Sequence, residues 1–264
     1  MSILKFARKK MNQEKISMVT CYDYPSAKII AKTAIEVILV GDSVAMVVHG
    51  FDSTVMATME MMVLHTQAVV RGAANKFVVA DMPFMAHRGS MQQACKNAER
   101  LIKAGAQAIK IEGADAYTLK VINYLVNGSV PVIGHIGLQP QSILALGGYK
   151  VQGRQALDKQ RLLDEAMALQ EAGCFAIVLE CMPEDLALNI TNNLNIPTIG
   201  IGAGRYTDGQ VLVWHDFLGL QNDFLPKFVK QYHVLEPVLT AALQQYHEDV
   251  ISGCFPEEIH CYNQ

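Results

Sequence analysis

Short apolar runs that end on a polar or charged residue recur along the chain. Each run is four or five residues long and mostly apolar, and longer, mixed-polarity segments separate the runs. Such runs are typical of strands buried on both faces, as in a parallel sheet covered by helices. The clearest runs are residues 37–41 before Asp42, 77–80 before Asp81, 108–111 before Glu112, 131–134 before His135 and 176–179 before Glu180.

The full pattern alternates eight predicted strands with helices. Three further strands are expected at residues 16–21, 197–201 and 211–214. Helices are predicted over residues 26–34, 59–71, 91–104, 116–127, 158–172 and 234–252, with another beginning after Pro183, whereas residues 43–58 form a long loop. This alternation predicts an α/β fold, the (β/α)8 TIM barrel. An open, doubly wound sheet is the alternative that the strand pattern alone does not exclude.

An internal repeat favours the closed ring over the open sheet. Residues 104–112 resemble residues 172–180, and residues 130–134 resemble residues 196–200. A spacing of about two strand–helix units suits a ring of eight such units. No shift in composition marks a second domain, so a single barrel domain is predicted over residues 1–264, with a short N-terminal helix and a C-terminal tail.

Composition narrows the class of protein. The chain has 264 residues, of which 51% are hydrophobic and 18% charged, and its net charge is −3. These values predict a globular protein with no nucleic-acid partner, and no apolar run is long enough to span a membrane. The six cysteines form no C-x-x-C pair, so zinc spacing is absent and free thiols in a cytoplasmic protein are expected. The basic residues near the start predict a surface helix, a membrane or import role being the alternative.

The acids that follow the second, third and fourth strands point to a metal site. The carboxyl ends of barrel strands share one rim, so Asp42, Asp81 and Glu112 are expected to converge there. Each pair of carboxylates at about 4 Å would repel by roughly 4 kcal/mol at an effective dielectric constant near 20. A divalent cation would offset this repulsion, and oxygen ligands without a thiol favour Mg2+ over Zn2+. The alternative is that each acid caps a helix or pairs with a lysine.

Two residues beside these acids are candidate substrate contacts. Lys110 precedes Glu112 by two positions, so both side chains point to the same face of the strand. In a barrel that face is the lumen, where a lysine needs a carboxylate or an anionic substrate; a solvent-facing lysine on an edge strand is the alternative. Ser43 places a hydroxyl next to Asp42, where it either binds a substrate carboxylate or caps the next helix.

The fifth and sixth strands contribute the remaining candidates. Glu180 lies some distance round the ring from Asp42, which suits a general base better than a fourth metal ligand. Its alternative is a structural acid paired with an arginine or lysine. His135 either donates a hydrogen bond to a substrate oxygen or serves the structure alone. The glycine-rich residues 147–154 predict a flexible lid or a plain surface loop.

Eight segments together resemble one known family, the ketopantoate hydroxymethyltransferases. The resemblance covers about residues 17–256 and keeps the family's order of motifs. Ala45, Phe51 and Ala114 depart from the usual residues without removing a ligand. The segments are Val40-Gly41-Asp42-Ser43, Gly50-x-Asp52-Ser53-Thr54, Ala80-Asp81-Met82-Pro83-Phe84-Met85, Ile109-Lys110-Ile111-Glu112-Gly113, Gly134-His135-Ile136-Gly137-Leu138-x-Pro140-Gln141-Ser142, Gly147-Gly148-Tyr149-Lys150-Val151-Gln152-Gly153-Arg154, Leu179-Glu180-Cys181 and Ile199-Gly200-Ile201-Gly202-Ala203-Gly204.

The resemblance implies a reaction and an assembly. The reaction is transfer of a hydroxymethyl group from 5,10-methylenetetrahydrofolate to the 2-oxo acid 3-methyl-2-oxobutanoate, giving 2-dehydropantoate (ketopantoate) in the first step of pantothenate and coenzyme A synthesis. The implied assembly is a cytoplasmic homodecamer of two pentameric rings, a pentamer of dimers. The alternatives are a Mg2+-dependent C–C lyase or phosphoenolpyruvate mutase-like barrel enzyme and, more distantly, a non-catalytic barrel.

The resemblance also implies roles for individual residues. Mg2+ is expected at Asp42, Asp81 and Glu112. Glu180 is the expected proton acceptor. The expected contacts to the 2-oxo acid come from Asp42, Ser43, Asp81 and Lys110.

Overall fold

Eight parallel strands close into a barrel in which each strand pairs with its neighbours in sequence, and β8 pairs with β1. The computed structural model describes residues 1–143, 147, 148, 150–221 and 225–262. The closed ring confirms the predicted (β/α)8 barrel and excludes the open sheet. The strands are β1 Ile16–Thr20, β2 Val37–Val40, β3 Phe77–Asp81, β4 Ala108–Glu112, β5 Val132–Gly137, β6 Ala176–Glu180, β7 Thr198–Ile201 and β8 Gly209–Leu212.

Helices connect the strands, and side-chain caps fix where several of them begin. Asp23, Thr58, Ser90 and Asp115 each accept a backbone N–H in the first turn of the helix that follows, a contact typical of helix starts. Within the described residues the helices are α1 Ile3–Met11, α2 Tyr24–Ala31, α3 Val44–Val47, α4 Met59–Gly72, α5 Met91–Lys103, α6 Ala116–Asn127, α7 Ala156–Glu171, α8 Glu184–Asn193, α9 Trp214–Phe217 and α10 Glu236–Ser252.

The structure differs from the predicted elements in several places, of which one long loop and two strands matter most. The predicted loop over residues 43–58 contains α3 and the 3-10 turn Thr54–Met56. Strand β5 continues two residues beyond His135, and β8 begins at Gly209, before the predicted residues 211–214. The start of β8 was missed because a glycine weakens the strand signal of a segment. At Gly209, however, an added Cβ would lie 2.5 Å from the carbonyl oxygen of Ile16 on the neighbouring strand, so close strand pairing requires glycine.

The chain divides into two compact units, Met1–Val213 and Trp214–Gln264. The first contains the barrel and helices α1 to α8. The second contains α9 and α10, and in it the ring of Phe217 packs edge-on against those of Trp214 and Tyr232. The single domain over residues 1–264 stays a prediction. The predicted lid includes Tyr149, which lies outside the described residues. Among the helices of the described residues, none combines the length and apolar character needed to cross a membrane.

The barrel lumen is apolar at its amino end and charged at its carboxyl end. Phe6 of α1 is fully buried, and its ring packs edge-on against Phe77 and Phe175, with centroids 5.4 and 5.1 Å away. Alternate strand residues continue this core. Along β3 the alternate positions end on Asp81, and along β4 they end on Lys110 and Glu112. The α1 side of the barrel is therefore a hydrophobic core, and the opposite rim collects the ionisable groups.

Candidate active site

Strand register brings the predicted rim residues side by side. Asp81 of β3 pairs with Lys110 of β4, and Glu112 pairs with His135 of β5. Glu180 of β6 pairs with Gly137, two residues beyond His135. Residues that pair across parallel strands project to the same face, so these groups gather at one mouth of the barrel.

Lys110 lies between two of the acids. Its ammonium nitrogen is 3.2 Å from Oδ1 of Asp81 and 3.6 Å from Oε1 of Glu112, and it is 3.1 Å from Nδ1 of His135. The Lys110 side chain is only 5% exposed. Its alternative placement, on a solvent-facing edge strand, is therefore wrong. A lysine that faces the lumen needs negatively charged partners, and Asp81 and Glu112 provide them.

His135 links Glu112, a predicted metal ligand, to Glu180, the predicted base. Its Nδ1 lies 3.4 Å from Oε1 of Glu112, and its Nε2 lies 3.3 Å from Oε2 of Glu180. The Glu180 side chain is 16% exposed, compared with 4% for that of Glu112. Among the described residues, the ion pair of Glu180 is with a histidine rather than with an arginine or lysine. Glu180 is thus the most accessible acid of this group.

Asp42 joins the group through the backbone and through Gln141. The backbone N–H of Asp42 donates to Oδ2 of Asp81 over 3.0 Å. The side-chain amide of Gln141 donates to Oδ2 of Asp42 over 2.8 Å, and its backbone N–H donates to Oε2 of Glu112 over 3.2 Å. All three predicted metal ligands therefore share hydrogen-bonded neighbours. Gln141 was not predicted as a site residue, because a neutral amide gives no charge signal in the sequence.

Ser43 lies at the start of α3, but its hydroxyl does not cap that helix. Its Oγ is 2.7 Å from the hydroxyl oxygen of Tyr22, which is almost fully buried at the end of β1. The helix-cap alternative for the Ser43 side chain is therefore wrong. Tyr22 was also missed by sequence reasoning, since a lone aromatic residue after a strand is most simply interpreted as part of the core.

Burial and mutual repulsion disturb the ionisation of two acids. Burial, together with the charges of Asp81 and Glu112, raises the pKa of Asp42 well above its usual value. Burial also raises the pKa of Asp81, although the Lys110 ammonium opposes this effect. Both carboxylates are therefore poorly compensated by the protein alone. A further positive charge at this position would stabilise their ionised forms.

The remaining groups owe their charge to their neighbours. Burial alone would lower the pKa of Lys110, but the carboxylates of Asp81 and Glu112 raise it above its usual value. Burial and Lys110 oppose protonation of His135, yet Glu112 and Glu180 raise its pKa to about 9. Burial opposes ionisation of Glu112, and His135 and Lys110 nevertheless lower its pKa. Lys110 is therefore a cation at neutral pH.

The carboxylate oxygens of Asp42, Asp81 and Glu112 are the kind of ligand that a hard divalent cation prefers. Oδ1 of Asp81 and Oε1 of Glu112 are buried, and among the described residues each has the Lys110 ammonium nearby, at 3.2 and 3.6 Å, but no hydrogen-bond donor. One ammonium group therefore faces two buried carboxylates, and buried charges are costly unless they are paired and hydrogen-bonded. In the described part of the chain, no three His, Cys, Asp or Glu side chains are already arranged as a metal site. The fit therefore rests on donor type, burial and charge.

Sequence comparison gives full-length similarity to one family. The family model described as ketopantoate hydroxymethyltransferase matches residues 1–258. The 3-methyl-2-oxobutanoate hydroxymethyltransferase of Legionella pneumophila (strain Lens) is 56% identical over 262 residues, which are 99% of this chain and 100% of that protein. The enzyme of the same name from Coxiella burnetii (strain CbuK_Q154) is 52% identical over 258 residues, 97% of each chain.

Structure comparison extends the likeness of fold to more distant enzymes. A phosphoenolpyruvate phosphomutase from Streptomyces platensis subsp. rosaceus superposes with a TM-score of 0.64 at 13% identity, covering 96% of this chain and 88% of that one. A phosphonopyruvate hydrolase gives a TM-score of 0.65 at 13% identity, covering 100% and 92%. At such low identity the likeness shows a shared fold.

Proposed function

The chain belongs to the ketopantoate hydroxymethyltransferase family, and from this membership we propose how its rim residues carry out the reaction. It is a transferase that adds a hydroxymethyl group to 3-methyl-2-oxobutanoate and forms ketopantoate, a step of pantothenate synthesis. The similarity over the whole chain favours this activity over a lyase, a phosphoenolpyruvate mutase-like enzyme or a non-catalytic barrel. The likeness to a phosphoenolpyruvate phosphomutase, at 13% identity, shows the fold alone.

Asp42, Asp81 and Glu112 would hold Mg2+, with 5,10-methylenetetrahydrofolate as the one-carbon donor. One observation carries the metal assignment: Gln141 links the buried carboxylates of Asp42 and Glu112, Lys110 links those of Asp81 and Glu112, and the described residues donate no hydrogen bond to Oδ1 of Asp81 or Oε1 of Glu112. When bound, Mg2+ supplies Lewis-acid polarisation of the keto group and offsets the negative charge that develops beside it. The folate donor rests on the family membership.

The 2-oxo acid would bind against the cationic and hydroxyl groups of the rim. Lys110 is a buried cation beside Asp81 and Glu112, so it can bind an anionic substrate oxygen without leaving the lumen. Ser43 offers a hydroxyl held by Tyr22, and His135 offers a ring N–H. Asp42 and Asp81 complete the proposed set of substrate contacts. Together these groups would fix the substrate carboxylate and orient C3.

Glu180 would act as the general base. Water would add its oxygen to the methylene carbon of the folate, both C–N bonds to that carbon break, and the two water protons end on N5 and N10 of the departing tetrahydrofolate. The C3–H bond breaks with its proton passing to the Glu180 carboxylate, the electron pair forms the new C–C bond to the released one-carbon unit, and the resulting alkoxide takes the proton back to become the hydroxyl group. His135, with Nε2 3.3 Å from Oε2 of Glu180, holds that carboxylate toward the lumen. The side chain of Glu180 is more exposed than that of Glu112, so substrate can reach it.

Product analysis tests this function. The purified protein, incubated with 3-methyl-2-oxobutanoate, 5,10-methylenetetrahydrofolate and MgCl2, is expected to form ketopantoate, detected by NMR. Omitting the folate or adding EDTA should each stop product formation. Cleavage of a 2-oxo acid or a phosphonate without folate would instead support the lyase or mutase alternative.

We also propose the assembly and location that the family implies, a homodecamer built as a pentamer of dimers in the cytoplasm. These two proposals rest on the family membership alone.

A further inference from the structure

Gln141 contacts the ends of three neighbouring strands at once. It lies in the 3-10 turn Pro140–Ser142, which follows β5, and it is buried. Its side-chain nitrogen donates to Oδ2 of Asp42 over 2.8 Å and to the backbone carbonyl of Met82 over 3.0 Å. Its backbone N–H donates to Oε2 of Glu112 over 3.2 Å. One residue therefore joins the carboxyl ends of β2, β3 and β4.

The chemistry of an amide suits this position. Gln141 uses both hydrogens of its side-chain nitrogen, one on a carboxylate and one on a carbonyl, and these two acceptors fix which way the amide faces. A lysine or arginine here would bring a positive charge that competes with a bound cation. A glutamate would add one more negative charge to Asp42. A neutral donor holds the carboxylate without either effect.

The segment that carries Gln141 is itself anchored to the sixth strand. The backbone N–H of Leu138 donates to the carbonyl of Glu180 over 2.9 Å. At Gly137 the backbone has a φ of +95°, and an added Cβ would lie 2.2 Å from that same carbonyl oxygen. Only glycine fits such a close crossing. The turn therefore has a fixed position relative to both the metal-side acids and the base.

We propose that Gln141 is a positioning residue that holds Asp42 and Glu112 in the arrangement that binds the divalent cation. This role rests on the magnesium site of the proposed function. Gln141 touches neither substrate nor metal in this role. It acts through the two carboxylates, as outer-shell hydrogen-bond partners of metal ligands do.

Titration of the substrate-free protein with MgCl2 by calorimetry tests the proposal. Loss of an outer-shell partner typically weakens metal binding by about 10- to 100-fold. Gln141→Met keeps a similar length and volume but removes the donors, so its Kd for Mg2+ is expected to rise by that factor. Ser142→Ala is the matched control from the same turn, since among the described residues the Ser142 hydroxyl donates to the side-chain oxygen of Gln139. Its Kd should stay within about twofold of wild type.

Thermal unfolding separates this role from a general effect on stability. A purely structural Gln141 would lower the Tm with and without Mg2+ by the same amount. We expect instead that the rise in Tm caused by Mg2+ shrinks in Gln141→Met and persists in Ser142→Ala. Gln141→Leu serves as a second donor-free variant if the methionine variant does not fold.

Each outcome bears on one proposal or on both. A Gln141→Met Kd within twofold of wild type would overturn the role of Gln141 and leave the magnesium site standing. An equal loss in Ser142→Ala would also overturn it. Wild-type protein that binds no Mg2+ would overturn the metal assignment together with the positioning role.

Discussion

Replacing Asp81 with alanine is expected to abolish magnesium-dependent turnover. The substitution removes a proposed metal ligand, a buried charge partner of Lys110 and the acceptor of the Asp42 backbone N–H. A bound metal ion that acts as a Lewis acid stabilises the transition state by several kcal/mol. A loss of about 4 kcal/mol would lower the rate roughly a thousandfold. Initial rates of ketopantoate formation over a range of MgCl2 concentrations would measure the loss.

A matched control for this substitution is Asp185→Ala in α8. Asp185 is a largely exposed acid that forms an ion pair with Lys159. Removing a surface ion pair costs about 1 kcal/mol or less, so this variant should keep near-normal rates and the same dependence on MgCl2. Near-normal activity of Asp81→Ala would defeat the assignment of Asp81 as a ligand.

Replacing Glu180 with glutamine is expected to stop the exchange of the C3 hydrogen of the substrate with solvent deuterium. Glutamine keeps the shape of the side chain but cannot accept the proton. A positioned general base contributes about 10²- to 10⁴-fold, so exchange should slow by at least about 100-fold. The exchange can be followed by proton NMR in D2O with Mg2+ and without folate.

Substrate binding should survive in the Glu180→Gln variant, because Lys110 and Ser43 remain in place. A calorimetric Kd for 3-methyl-2-oxobutanoate within about threefold of wild type would show this. Glu184→Gln is the control: this acid lies four residues further along, pairs with Arg205 on the surface, and should exchange at the wild-type rate. Unchanged exchange in Glu180→Gln would mean that another group is the base.

The acids of the rim could be predicted because strand geometry is local. A short apolar run marks a buried strand, parallel strands in a barrel end at the same rim, and alternate residues share a face. These three rules place Asp81, Lys110, Glu112 and Glu180 without any knowledge of long-range contacts. They also predicted that Lys110 faces the lumen, which the structure confirms.

The contacts between these groups could not be predicted, because they depend on the register between strands. No local pattern sets Glu112 beside His135, or Asp81 beside Lys110; the stagger of the closed barrel does. For the same reason the sequence did not indicate that His135 reaches both Glu112 and Glu180.

The missed residues carry no charge. Gln141 and Tyr22 contact Asp42 and Ser43 through hydrogen bonds of uncharged side chains, and a search for charged side chains passes over both. Helix α3 was missed because its four residues are too short to show a helical period. The sequence therefore indicated the groups proposed to do the chemistry better than the groups that hold them.

The position of a bound metal ion can be measured directly by anomalous diffraction from crystals soaked in MnCl2, since Mn2+ takes the same oxygen ligands as Mg2+. We predict a single strong peak at the barrel mouth in contact with carboxylate oxygens of Asp42, Asp81 and Glu112. A map with no peak there, or with a peak bound only by other side chains, would contradict the proposed site.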